Sequence, residues 1–206
     1  GLAHDTSSIT PQNNYFEINT DLTVYAFEKF MKSNAKIFIF LSSVKACSDS
    51  YEGVLTEDVI SRPSTPYGKS KLKAENIIIE KLKNSKNKKK VYILRPCMIH
   101  GANNKGNLNL LFKIINLGMP WPLGLFDNRR SFCGIDNLIF VIKSIIETKN
   151  IRSGIYNIAD DDAISTNELY GIICRSLKRK EYILKIPRVV IKAIALIGNY
   201  FPIPLN

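Results

Sequence analysis

Three short apolar runs constrain this chain more than any other feature: "KIFIFLSS" at 36–43, "VYILRPCMIHG" at 91–101 and "GIYNIA" at 154–159. They are rich in β-branched and aromatic residues, and the first ends in two serines. Continuous apolar runs of this kind suit strands covered on both faces, as in a parallel sheet. Between them the pattern turns helical. Residues 15–33 carry Phe16, Asn19, Thr23, Phe27, Phe30 and Met31 on one stripe. Residues 66–83 open with Pro66, a favoured first-turn residue. Helical patterns also cover 107–118, which ends on Gly118, and then 135–148 and 165–179. Alternating strand and helix predicts βαβ units and a mostly parallel α/β sheet. Beyond about residue 102 the strands thin out and loops carry Gly, Pro and Asn. That predicts a smaller mixed lobe, with 135–160 returning a helix and a strand to the sheet.

At 206 residues, 45% of them hydrophobic, the chain is long enough to bury a real core. Its net charge of +11 comes in large part from one run, "KLKNSKNKKK" at 81–90, between a helix and a strand. Such a run reads first as a solvated turn. Its second reading is attraction to polyanions such as anionic lipid or nucleotide substrates. A general nucleic-acid surface is the weaker reading, since no aromatic-and-basic motif accompanies the charge. The four cysteines are scattered with no CxxC, and the histidines are two, His4 and His100. Neither a disulfide scaffold nor a structural zinc site is expected, and a reducing compartment is. No signal peptide is visible. The apolar stretch at 189–205 contains Lys192 and two prolines, so it is expected to pack as a buried or dimer-forming helix rather than to span a bilayer.

In an open parallel sheet, ligands bind at the carboxyl ends of the strands. Ser42 and Ser43 end the first run, and the end of the second, at Cys97 to Gly101, belongs on the same rim. The stretch "STPYGKSK" at 64–71 then opens a helix with Tyr67 four residues ahead of Lys71, on one face. Two readings stay open at this point. The pair is either a proton-transfer couple, in which an ammonium lowers a phenol toward neutrality, or two solvated side chains at a helix start.

The composite of apolar strand, Ser-Ser, a connection of about twenty residues and Pro-Tyr-Gly-x-Ser-Lys resembles the extended short-chain dehydrogenase/reductases. It is most similar to their NAD-dependent nucleotide-sugar epimerase/dehydratase branch. The likeness runs along nearly the whole chain. "GLAHD" at 1–5 resembles the end of the family's fourth strand, and "YFEINTDLTVYAFE" at 15–28 its Asn-containing helix. "YILRPCMIHG" resembles the later Arg-Pro strand, and "RRSFCGIDNL" at 129–138 a segment of the substrate lobe. The resemblance implies a Rossmann-type parallel sheet, truncated at its N-terminus, over 1–101, and a small mixed C-terminal substrate lobe mostly within 102–206. Tyr67 would be the catalytic acid/base, Lys71 would lower its pKa and hold the nicotinamide ribose, and Ser43 would hydrogen-bond the sugar 4-oxygen. Leu2, Ala3, Asn19, Ser42 and Pro96 would complete the side facing NAD (or NADP), and Asn107 and Arg130 would meet the substrate diphosphate.

The implied function is NAD-dependent epimerisation at C4 of a UDP-linked sugar, in the cytoplasm, with no nucleic-acid partner and no membrane span. A homodimer paired through helices 15–33 and 66–83 is implied as well. An NAD(P)H-dependent nucleotide-sugar 4-ketoreductase, or a non-catalytic fragment of such an enzyme, stands as the alternative. The glycine-rich phosphate turn is expected to lie outside this sequence, with the strands that carry it, and the C-terminus to stop early. The family's dehydratases carry an Asp-Glu pair after the active-site hydroxyl. Val44 and Lys45 stand there, so dehydration is the least expected outcome.

Overall fold

The computed structural model describes residues 12–85, 89–101, 107–148 and 150–191. Described residues up to 99, with 133–160, form one compact unit, and those of 100–132 and from 161 onward form a second. Leu2 and Ala3 lie outside the described residues.

In the first unit, helix α1 (Gln12–Phe16), a π turn (Glu17–Asp21) and helix α2 (Leu22–Lys32) lead into strand β1 (Ile37–Leu41). Helix α3 (Pro66–Lys83) and strand β2 (Lys90–Pro96) follow, and then β3 (Met98–His100). The sheet is parallel, with β1 paired to β2 from Ile37↔Lys90 to Leu41↔Leu94. On its other edge β2 pairs with a strand at Gly154–Ile158, from Tyr92↔Gly154 to Pro96↔Ile158.

Successive strand residues point to opposite faces, and the burial follows that period. Phe40, Val91 and Ile93 pack with Phe27, Phe30, Ala74 and Ile78 of α2 and α3. Tyr92 and Leu94 face the other way, against Ile145. Both faces are therefore covered, which is why these strands read as unbroken apolar runs.

Two sequence expectations are corrected here. The stretch 15–33 is not one regular helix, because the π turn interrupts it. A π turn carries an extra residue, and here the adjacent polar side chains of Asn19 and Thr20 both reach α3. The strand expected over 91–101 ends at Pro96, where the Cys97 N–H makes a last bond to the Ile158 carbonyl at 3.0 Å.

The remaining elements are α4 (Asn107–Asn116), β4 (Arg129–Arg130), β5 (Phe132–Gly134), α5 (Ile135–Glu147), β6 (Gly154–Ile158), β7 (Ile164–Ser165) and α6 (Thr166–Ser176). In the second unit Leu111 and Ile115 of α4 pack against Tyr170 and Cys174 of α6. Trp121 stacks on Tyr170 with ring centroids 5.9 Å apart and donates to Asn167 at 2.9 Å, so it is a packing residue of this unit. A capping box between Ser165 and Glu168 starts α6. No helix among the described residues is long and apolar enough to cross a membrane.

Candidate active site

Helix α3 starts where its sequence dictates. Pro66 supplies a preset φ and no N–H, and Thr65 caps the turn by accepting from the Gly68 N–H at 3.2 Å. That start sits against the loop leaving β1. A Cβ on Gly68 would stand 2.3 Å from the Lys45 carbonyl oxygen, so only glycine allows this approach.

A second tie comes from Asp49, farther along the same loop. Its carboxylate accepts from the Ser64 N–H and Oγ, both at 2.7 Å, and from the Thr65 N–H and Oγ1 at 3.1 and 2.8 Å. Burial pushes this carboxyl up, but the four hydrogen bonds together outweigh it and hold the group at about 2.

The loop and helix bring Ser43 to Tyr67, whose side chains are hydrogen-bonded. The Ser43 hydroxyl also accepts from the Lys45 N–H at 3.2 Å, capping the short 3₁₀ turn Val44–Ala46. One turn beyond Tyr67, the buried Lys71 donates to the Leu41 carbonyl at 3.0 Å. Its Nζ stands 6.0 Å from the Tyr67 ring centroid and 5.1 Å from that of Phe40.

Burial is the leading influence on both groups. It lowers the Lys71 ammonium to about 8, against an opposing pull from the Glu75 carboxylate. It raises the Tyr67 phenol, with the Ser43 hydrogen bond acting against it and Tyr15 adding a further upward push. The expectation of a phenol lowered toward neutrality by Lys71 is therefore corrected for this geometry. Desolvation wins.

Asn19 reaches the site from the π turn. Its Nδ2 donates to Ser70 Oγ at 3.2 Å, Ser70 Oγ donates to the Tyr67 carbonyl at 2.8 Å, and Thr20 Oγ1 donates to the Ser70 carbonyl at 2.8 Å. The π turn thus holds the backbone of the Tyr67 turn directly. Asn19 Oδ1 is buried with no hydrogen-bond partner among the described residues.

Ser42, expected near the cofactor, has its hydroxyl turned into the protein, donating to Glu75 Oε1 at 2.5 Å. Pro96 is buried at the rim end of β2. Asn107 opens α4, and its side chain lies outside what the structure describes. Arg130 is exposed in β4, in the second unit, paired with Ile164. Its neighbour Arg129 is tied within that unit, donating to the Ala163 carbonyl at 3.0 Å and to Glu168 at 3.3 Å.

Three polar neighbours of the site escaped the sequence reading: Asp49, Glu75 and Arg95. Glu75 continues the four-residue spacing of Tyr67 and Lys71, and Arg95 continues the alternation of Val91 and Ile93. Both signals were present.

A cavity of about 740 Å³, lined by Ser33, Lys36, Lys90 and Ile145 among others, opens where β1 and β2 begin. The hydroxyl, phenol and ammonium gather where the strands end, the position at which open α/β sheets bind ligands.

A parallel sheet covered on both faces, with Ser, Tyr and Lys converging at its carboxyl rim, defines a Rossmann-type α/β protein. The chain matches the NAD dependent epimerase/dehydratase family over residues 1–159 and belongs to that family. It is 30% identical over 190 residues to the UDP-glucose 4-epimerase of Vibrio cholerae, covering 89% of this chain and 56% of that protein. It is 27% identical over 200 residues to an N-acetyl-alpha-D-glucosaminyl-diphospho-ditrans,octacis-undecaprenol 4-epimerase of Escherichia coli O157:H7, covering 96% of this chain and 58% of that one. The chain therefore spans somewhat more than half the length of these relatives. Among solved structures, the NAD complex of a UDP-glucuronic acid 4-epimerase from Bacillus cereus shares the fold with a TM-score of 0.73 at 22% identity. That match covers 89% of this chain and 60% of the other.

Proposed function

We propose that the protein to which this chain belongs is an NAD-dependent epimerase acting at C4 of a UDP-linked sugar in the cytoplasm. The observation that carries the reading is the hydrogen bond joining Ser43 to Tyr67, with the Lys71 ammonium one helical turn away, in a member of this family.

The residues present fit a nicotinamide cofactor. Lys71 is a buried ammonium with three donors, one of them given to the Leu41 carbonyl, and Asn19 offers a buried acceptor with no described partner. Lys71 and Tyr67, with Asn19 behind them, would hold the nicotinamide end, and Pro96 would close the rim. When bound, NAD supplies the group that takes hydride from C4 and gives it back.

Tyr67 accepts the proton of the 4-hydroxyl and later returns it to the 4-oxygen. The Ser43 hydroxyl, already on the phenol, aligns that oxygen and steadies its charge. The Ser43 hydrogen bond works against the burial that raises the phenol, and the Lys71 ammonium, one helical turn away, would favour the phenolate as the proton moves. Arg129 is occupied within its own unit, which supports Arg130 as the cationic fork for the substrate diphosphate, and Asn107 is proposed to meet the same group. Pairing of two copies through α2 and α3 belongs to the same proposal, supported by Leu22 and Tyr25 of α2, which are 55% and 57% exposed.

The test is the Tyr67→Phe variant of the full-length protein, incubated with UDP-glucose or UDP-N-acetylglucosamine and NAD, with the C4 epimer followed by proton NMR. Turnover should fall by about two to four orders of magnitude with folding unchanged. Unchanged turnover in the variant, or no epimer from the parent protein, rules the reading out.

A further inference from the structure

Helix α3 carries a third charged group that the chemistry above does not use. Glu75 follows Lys71 by one turn, as Lys71 follows Tyr67, so the three side chains share one face. Glu75 is fully buried, and Arg95 at the end of β2 is 3% exposed. Arg95 grips the carboxylate with two prongs, Nε to Oε1 at 3.0 Å and Nη2 to Oε2 at 2.5 Å. Ser42 Oγ donates to the same Oε1 at 2.5 Å, and the Ser42 N–H donates to the Leu94 carbonyl at 2.7 Å. Residue 41, directly before it, presents the carbonyl on which the Lys71 ammonium rests at 3.0 Å. A continuous path of short contacts therefore runs from Arg95 through Glu75 and Ser42 to the seat of Lys71.

Stability is a poor explanation for this arrangement. Desolvating two ions is expensive, and apolar residues of similar volume often serve a core as well or better. The local charges suggest another use. Lys71 lies buried over the Phe40 ring with its ammonium on the Leu41 carbonyl, and burial works against its charge. The titratable groups around it are Tyr67 and Glu75 on its own helix, Tyr15 of α1 with its ring centroid 6.1 Å from that of Tyr67, and Arg95 of β2 behind Glu75. Of these, Glu75 is the one carboxyl group, and Arg95 is ion-paired with it.

We propose that Glu75, clamped by Arg95, is a positioning residue that keeps the Lys71 ammonium charged and, through Ser42, keeps it aimed toward Tyr67. Its consequence for turnover rests on the acid–base reading above, but its direct readout is Lys71 itself.

The experiment labels the lysine side chains with ¹³C at Cε in the full-length protein and assigns the Lys71 signal with Lys71→Arg. The signal is then titrated in the parent protein, in Glu75→Gln and in Ser42→Ala. Lys71 should titrate near pH 8 in the parent. It should titrate about one pH unit or more lower in Glu75→Gln, where the opposing charge is gone. Ser42→Ala keeps the charge and should leave the midpoint nearly unmoved, a contrast that a purely structural role does not produce.

Glu75→Gln leaves Arg95 buried without its partner, so Glu75→Gln/Arg95→Met is measured as well and should show the same lowered midpoint in a folded protein. Coincident titrations in the parent and in either Glu75 variant overturn the proposal. With the assignment upheld, the alkaline limb of kcat/KM should move down with the Lys71 midpoint. A limb that stays in place while Lys71 moves counts against the acid–base reading instead.

Discussion

Gly68 and Lys45 touch so closely that a methyl group does not fit between them: a Cβ on Gly68 would lie 2.3 Å from the Lys45 carbonyl oxygen and 2.8 Å from Pro63 Cβ. This contact sets the height of Tyr67 against the loop that carries Ser43. Gly68→Ala sets two effects against each other. Alanine gains roughly 1 kcal/mol of helix propensity. Overpacking costs about 1–3 kcal/mol, and the obstacle here is backbone, which yields less than a side-chain tip. The clash should win, giving a lower urea midpoint and turnover reduced by more than tenfold as the phenol moves off Ser43. A variant as stable and as active as the parent would show that the contact does not set the site.

Asp49 gives the same junction a pH dependence. Its carboxyl is held at about 2, below the ordinary 3.8, so the stability it contributes is fully present above about pH 4 and is lost as the pH falls toward 2. Asp49→Asn keeps an acceptor but loses the charge. It should be the less stable protein at pH 7, and the gap to the parent should close between pH 4 and 2. Unfolding midpoints at a series of pH values check this, and a gap that widens on acidification contradicts it. Amide exchange should also quicken at Gly68, whose N–H bonds the cap residue that Asp49 holds.

Much of this site was legible in the sequence, and the remainder shows what sequence patterns omit. Strands β1, β2 and β6 announced themselves because side chains pack against both faces of the sheet, which leaves little room for polar interruptions. Tyr67 and Lys71 were legible because a single helix fixes their spacing. The π turn was not, since one extra residue in a turn barely disturbs an apolar stripe while it redirects Asn19 and Thr20. Nor was the partner of Glu75 legible. The parallel register that sets Ser42 beside Arg95, under α3, is a long-range fact with no local signal. Asp49 sits in a connection without periodicity, where only the folded path shows which backbone amides it meets.

The π turn makes its own prediction. Asn19 contributes one hydrogen bond, to Ser70, and holds a second polar atom, Oδ1, buried without a described partner. Losing the bond costs about 0.5–1.5 kcal/mol, while removing an unsatisfied acceptor returns about 1–3 kcal/mol, less a cavity term. Asn19→Ala should therefore stay within about 1 kcal/mol of the parent in stability. If Oδ1 serves a ligand, the same variant should bind NAD more weakly, as isothermal calorimetry on the full-length protein would register. A large stability loss with unchanged NAD affinity would assign Asn19 to structure alone.

Ser43 offers the sharpest check on how the phenol is governed. Burial raises Tyr67, and the Ser43 hydrogen bond is the influence working in the opposite direction. Ser43→Ala removes that influence and leaves the burial, so the phenol should titrate higher than in the parent. Tyrosinate absorbance near 295 nm, taken as the difference between each protein and its Tyr67→Phe counterpart, isolates this one residue among the nine tyrosines. Turnover should fall about 10²-fold, the usual effect of losing one donor to a developing oxyanion. The two readouts must move together: a phenol that titrates higher is less ionised at neutral pH, so less phenolate is present to take the proton of the 4-hydroxyl. A phenol that titrates lower in Ser43→Ala would mean that the serine stabilises the neutral tyrosine, and the proton would then have to leave the sugar by another route.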